Sequence, residues 1–285
     1  MRPKVQILLS PSKTMNVEAC VVADLAGRCE PVGLCRAKDV ARVLGRKSAG
    51  ELSKLLGVSK ALGEATYEKY AHWETASSMQ AIALYSGMAY AKLDGRTLSE
   101  EEMKLSQKKL VIPSAVWGPV RGLDCIKPYR LEMATKTLEA PYDKLALFWK
   151  DIVTENILGG FATEDRVLVN VASDEYAAAV DFTRLKKEGV KVVKCDFYQA
   201  GRRAPTVHLK FGRGLVARYV IQNDVETLDG LKLFDLEGYT FAESLSNEDT
   251  LVFTRTKAPD PPSSKRKNKT TKNDAATTTK KKKKP

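Results

Sequence analysis

A chain of 285 residues with 43% hydrophobic content is long enough to bury a core of its own, and none of its apolar runs reaches the roughly 20 residues that cross a bilayer. The net charge of +12 sits mostly at one end: residues 258–285 hold ten Lys or Arg against two Asp, which leaves only +4 on residues 1–257. Total charge is therefore no argument for a polyanionic partner of the first 257 residues, and any such argument must rest on where the charges lie. Cys20, Cys29, Cys35, Cys125 and Cys195 form no CxxC pair, which suits a reducing compartment better than a disulfide framework. Val5 to Leu9 is too short for the apolar region of a signal peptide. The expectation is a cytoplasmic protein with no membrane contact.

Val5 to Leu9 reads as a buried strand feeding the polar turn Ser10-Pro11-Ser12-Lys13-Thr14. Such a turn can offer backbone N–H groups and Lys13 to a phosphate or carboxylate; the plain alternative is a turn with a solvated lysine. From Lys38 the apolar spacing is helical. Near residues 48–72 two helices flank Gly57-Val58-Ser59-Lys60, the outline of a helix-hairpin-helix whose backbone N–H groups would meet DNA phosphates. Ser59 stands where a second glycine is usual, and a two-helix corner with Gly57 as C-cap explains the same residues. Met88 to Leu93 predicts a short helix. Ser99 and Glu102 form a capping box for a helix that runs to about Lys109.

The stretch from Val111 to Met133 is the centre of the chain. Trp117-Gly118-Pro119 and Arg121-Gly122 punctuate it as turns. Lys127-Pro128 forces an extended step, and Tyr129 to Met133 alternates as a half-buried strand does. Arg121, Asp124, Lys127, Arg130 and Glu132 are charges set among Trp, Tyr and Gly, which points to a site more than to a plain connector.

This stretch resembles the YaaA family of peroxide-stress proteins. Ser114, Gly118, Arg121, Leu123, Asp124, Ile126, Pro128, Tyr129, Arg130, Leu131, Glu132 and Met133 fit the family's motif, whereas Ala115, Trp117, Val120 and Gly122 depart from it. Gly122 in place of the family's proline predicts a looser turn. The similarity extends from the N-terminus to about Arg255. It implies one α/β domain over residues 1–257, a mixed sheet surrounded by helices with a helix-hairpin-helix. It also implies a DNA-binding protein that acts in the response to hydroperoxide and limits oxidative DNA damage. It implies no established enzymatic activity and no cofactor.

Tyr142 to Leu158 predicts an amphipathic helix with Leu145, Phe148, Trp149, Ile152 and Ile157 inward. Arg166 to Ala172 predicts a buried strand that ends in Ser173-Asp174-Glu175-Tyr176. A cap with two acids in the first turn of a helix explains that run; the alternative is that the carboxylates and the phenol line a cleft, able to do acid–base work or hold a metal. The family carries the same residues. Val190 to Tyr198 and Thr206 to Phe211 are expected as a strand pair around a basic turn. Gly212, Gly214 and Ala217 spell a dinucleotide fingerprint only formally, because no second strand with an acid at its end follows. Arg213 and Arg218 share a helix and are both expected to reach a cleft. Leu228 to Leu236 predicts a short helix and Leu251 to Phe253 a last strand. His72 and His208 have no metal-ligand spacing, and no metal site is expected.

The Pro- and Lys-rich residues 258–285 cannot bury a core and read as a disordered basic tail. The tail is a candidate for a nuclear import receptor, and hence for a nuclear location, or for loose contact with nucleic acid. The anion-binding set expected for DNA phosphates is Lys13, Gly57, Val58, Ser59, Lys60, Arg121, Arg130, Arg213 and Arg218. The rival is an enzyme acting on nucleic acid or a phosphorylated substrate, with Glu132, Asp174, Glu175 and Tyr176 as its acid–base candidates.

Overall fold

Val5–Leu8 is buried at every position and forms the central strand, β1. Burial on both faces is the pattern of a strand inside a parallel sheet. The computed structural model describes residues 2–17, 27–136, 138–162 and 164–256; the basic tail and Cys20 lie outside the described residues. After β1 come β2 (Thr14–Met15), α1 (Leu34–Gly45), α2 (Ala49–Leu56), α3 (Lys60–Ala71), β3 (Met79–Gln80) and α4 (Ala81–Leu84). Then follow β4 (Tyr85–Ser86), α5 (Met88–Leu93), α6 (Glu100–Lys109), β5 (Leu110–Ser114), β6 (Gly118–Val120) and β7 (Cys125–Ile126). The second half holds α7 (Leu145–Gly160), β8 (Val167–Asn170), α8 (Asp174–Ala177), α9 (Phe182–Lys187), β9 (Lys191–Gln199) and β10 (Arg202–Arg203). Last are α10 (Thr206–Gln222), α11 (Leu228–Lys232), β11 (Thr240–Phe241) and β12 (Thr250–Arg255).

The main sheet runs β11-β12-β9-β8-β1-β5-β6, with β10 paired to β9. Its middle is parallel: Ile7 of β1 faces Leu110 of β5 on one side and Val169 of β8 on the other. β8 pairs in parallel with β9, and β9 with β12. β6, β10 and β11 are antiparallel additions. The class is thus mixed α/β, with helices around a mixed sheet. Among the described residues no helix is long and apolar enough to cross a membrane.

Local rules account for several helix ends. Ser48 and Glu51 make a capping box for α2, and Ser99 and Glu102 make one for α6. Gly57 closes α2 in the left-handed conformation, and Ser59 opens α3 by accepting from the Leu62 N–H. Trp149 of α7 is fully buried, and its Nε1 donates to the Ala115 carbonyl at 2.9 Å.

Three sequence expectations need correction. Thr206 to Phe211 is not a strand but the first part of α10. Both edges of β9 are occupied, one by β12 and the other by β8 and then β10, while Leu209, Gly212, Val216 and Val220 turn one helical stripe inward. Tyr129 to Met133 does alternate, with Tyr129, Leu131 and Met133 buried, but it pairs with no strand. Side chains hold its backbone instead: the Tyr70 hydroxyl donates to the Arg130 carbonyl at 3.1 Å, and the Glu132 N–H donates to Thr135 Oγ1 at 3.2 Å. Gly122 does not loosen its turn. A Cβ there would sit 2.0 Å from Ser106 Oγ, so the glycine lets α6 pack directly on the turn.

Gly212 and Gly214 have the same kind of origin. A Cβ on Gly212 would enter the Phe197 ring, and one on Gly214 would lie 1.9 Å from the Ala89 carbonyl oxygen. The pair lets α10 wedge between β9 and α5. Gly214→Ala should therefore lower the unfolding free energy by about 1–3 kcal/mol, the usual cost of overpacking. Urea denaturation measures this; an unchanged midpoint would show that α10 and α5 are not in close contact.

Candidate functional site

The chain leaves β1 towards the β5 side of the sheet and leaves β8 towards the β9 side. Two neighbouring parallel strands whose following segments diverge open a crevice at their carboxyl ends, where α/β sheets bind ligands. Here the crevice lies between Ser10–Thr14 and Val171–Tyr176. The two loops are pinned at their roots. Ser10 Oγ accepts the Ser173 N–H at 2.9 Å and lies 3.3 Å from Ser173 Oγ. Tyr90 of α5 donates to the Ser10 carbonyl at 3.1 Å.

A cavity of about 430 Å³ occupies the crevice, with Leu9, Met88, Ala89, Tyr90, Val171 and Tyr176 as its apolar lining. Its polar groups include Ser10, Ser12, Lys13, Glu175, Lys210 and Arg213. A smaller chamber of about 230 Å³ adjoins it and shares Arg213 and Val171. Asn170, Asp174, Lys194, Asp196 and Arg203 line that chamber. Arg203 is engaged, with its Nε 2.9 and 3.1 Å from the two Asp196 oxygens. Arg213 makes no hydrogen bond or ion pair among the described residues. Burial, and then the neighbouring Arg203 charge, push its guanidinium below the ordinary arginine range.

The central stretch forms a neighbouring wall, tied to both loops of the crevice. Glu132 Oε2 meets Lys13 Nζ at 2.7 Å, so the two candidates chosen from distant segments are in contact. Glu175 Oε1 accepts the Ala134 N–H at 3.2 Å and ties the loop after β8 to that wall. Below them Tyr129 receives a hydrogen bond from Ser114 Oγ at 2.8 Å and lies 2.9 Å from the Tyr85 hydroxyl. Burial pushes the Tyr129 phenol up to about 12 and raises Tyr176 well above the usual range, so both are neutral hydrogen-bonding groups at neutral pH. Asp174 opens α8 and lines the smaller chamber. Arg130 is half-buried, and its Nε has no hydrogen-bond partner among the described residues. Lys69 of α3 faces it: burial, and then the Arg130 charge, lower the Lys69 pKa.

Two expected cleft residues lie elsewhere. Arg121 follows β6, which runs antiparallel to β5, so it sits at the opposite end of the sheet from Lys13. It is buried, and its guanidinium donates to Asn156 Oδ1, the Asn156 carbonyl and the Lys108 carbonyl at 2.8–2.9 Å. Burial lowers its pKa to about 10. Arg218 lines neither chamber. Five helical residues turn it about 140° from Arg213, and it donates to the Leu93 and Asp94 carbonyls at the end of α5.

Gly57, Val58, Ser59 and Lys60 join α2 to α3. The Gly57 and Val58 N–H groups are used within the cap, donating to Lys54 and Ser53 carbonyls at 3.3 and 3.0 Å. Lys60 is almost fully exposed. Among the described residues no group of three or more His, Cys, Asp or Glu could hold a metal ion. Sequence reasoning missed Lys69, Arg203 and Lys210. Lys210 would have been found, three residues before Arg213, had the segment been read as a helix; Arg203 lay in a turn read only as basic, and nothing local marks Lys69.

Residues 5–245 match the family model described as peroxide stress protein YaaA. A UPF0246 protein of Flavobacterium psychrophilum is 35% identical over 254 residues, covering 88% of this chain and 100% of that one. A UPF0246 protein of Paracidovorax citrulli is 36% identical over 259 residues, covering 88% and 98%. One from Bordetella pertussis is 35% identical over 257 residues, covering 88% and 99%.

The reassignment of Arg121 is testable. Arg121→Ala strips donors from two carbonyls and one amide oxygen in a buried setting, so stability should fall by about 3 kcal/mol or more. Thermal and urea unfolding report it. A variant of wild-type stability would show that Arg121 is not a structural tie.

Proposed function

Because this chain belongs to the peroxide stress protein YaaA family, we propose that its part in the hydroperoxide response is to bind DNA, duplex or distorted, and so limit oxidative damage to it. The observation that carries this reading is cationic charge left without a partner on one wall. Lys69 and Arg130 are like charges side by side, each partly buried and neither ion-paired among the described residues. An anion between them would offset both the repulsion and the lost hydration. Arg213 and Lys210 extend the charge into the crevice.

Helix α3 joins this wall to the Gly57–Lys60 hairpin. From Lys60 to Tyr70 the helix rises roughly 15 Å, about four to five nucleotides along one strand at ~3.4 Å each. DNA phosphates bound at Lys69 and Arg130 would bring a neighbouring stretch of the same backbone within reach of Lys60 and the first N–H groups of α3. With Gly57 and Val58 spent on the cap, Ser59 and Lys60 are the better phosphate donors of the hairpin. The basic tail adds an independent electrostatic contact.

Affinity for duplex DNA should fall linearly on a log–log plot against salt. Five phosphate contacts give a slope of about −4.5 for a chain ending at residue 257. The double substitution Lys69→Ala, Arg130→Ala should reduce that slope by about 2. Fluorescence anisotropy at several salt concentrations measures both. A flat response from the shortened chain would leave the tail as the sole DNA contact.

One contact favours a second reading, an enzyme acting on nucleic acid or a phosphorylated substrate. Lys13, which lines the cavity together with Ser10 and Ser173, is paired with Glu132. A carboxylate held against an ammonium group in a cleft is suited to proton transfer. Incubation with nucleotides and oligonucleotides should then yield product that Glu132→Gln abolishes. Inert panels, with DNA binding intact, would remove this reading and leave the first.

A further inference from the structure

We propose that the two chambers joined at Arg213 receive a phosphomonoester, with its terminal phosphate on Arg213 and its organic body in the larger chamber. The idea rests on the anion-binding reading above but asks more of it, since internal phosphates of DNA are diesters.

Charge comes first. Lys13, Lys194, Arg203, Lys210 and Arg213 line the two chambers. Arg203 is held by Asp196 and Lys13 by Glu132, which leaves Lys194, Lys210 and Arg213 facing Asp174 and Glu175. A phosphomonoester carries about −1.5 to −2 at neutral pH and a phosphodiester about half of that, so the monoester gains more from these three cations. Partition comes second. The smaller chamber is lined mainly by polar and charged groups, whereas the larger has a mostly apolar wall that includes Met88, Tyr90 and Tyr176. At about 430 Å³ it is within the size range of sites for small organic ligands. A ligand with an anionic head and a flat, largely apolar body suits both compartments at once.

Arg213 is fitted to the junction. Its neighbours Gly212 and Gly214 have no side chains, so α10 closes against Phe197 and Ala89 on either side. The arginine is left on the face that looks into the chambers. Arg203 already holds Asp196, so Arg213 is the guanidinium still available for a forked contact with phosphate oxygens.

Such a phosphate has two sources, a free mononucleotide or the 5′-phosphorylated end of a strand. Titration calorimetry on the full chain separates them. Its probes are adenosine 5′-monophosphate, adenosine, inorganic phosphate, and one single-stranded oligonucleotide with a 5′-phosphate or a 5′-hydroxyl. The basic tail contacts both oligonucleotides alike, so the difference between them reports the chambers. Either adenosine 5′-monophosphate binds more tightly than adenosine and inorganic phosphate, or the 5′-phosphorylated strand binds more tightly than its 5′-hydroxyl twin. Each preference should be about tenfold, as expected for a charge-assisted contact, and Arg213→Gln should erase it while leaving the urea midpoint in place. No preference in either pair overturns the proposal. So does a preference that survives Arg213→Gln. Salt-sensitive binding of a 5′-hydroxyl duplex reports the DNA reading separately, and its persistence in those cases would show that only the phosphomonoester proposal had failed.

Discussion

The parallel pairing of β1 with β5 on one side and β8 on the other is the constraint on which the rest depends. Ile7 is the hinge of that arrangement, opposite Leu110 and Val169. Because the segments after β1 and β8 depart in opposite directions, no backbone fills the space above their carboxyl ends. The two serines, Ser10 and Ser173, hold the rims of that space at fixed separation. A one-residue slip in β1 would move Ile7 to the opposite face of the sheet and carry the Ser10–Thr14 turn away with it.

Glycine is the means by which helices reach this frame. Gly122 brings α6 onto the central turn, and Gly212 and Gly214 bring α10 onto β9 and α5. In each case the missing Cβ is what allows backbone-level contact, and the arginine beside the glycines is aimed by that contact. The two ends of the sheet then divide the cationic residues between separate tasks. Arg121, at the amino end of β5, satisfies carbonyls and is structural. Lys69, Arg130 and Arg213, towards the carboxyl end, have no ion-pair partner among the described residues, a costly arrangement that an anionic ligand would relieve.

The sequence by itself determined the α/β class, the buried strands Val5–Leu8 and Val167–Asn170, and the capping box at Ser99. Each is written within a few residues, as continuous apolar runs or as a serine three positions before a glutamate. The motif from Ser114 to Met133 was enough to name the family, and the turn at Lys13 and the acid Glu132 could be picked out as site residues one at a time. Their contact could not, because nothing local encodes a distance across 119 residues of chain. Tertiary packing alone decided that Thr206 to Phe211 is helical, since the strand beside it had no free edge. It also decided which arginine is a tie and which is unpaired. Arg121, Arg213 and Arg218 are alike as residue types; only the groups that surround each one after folding, carbonyl oxygens or open chamber, set them apart.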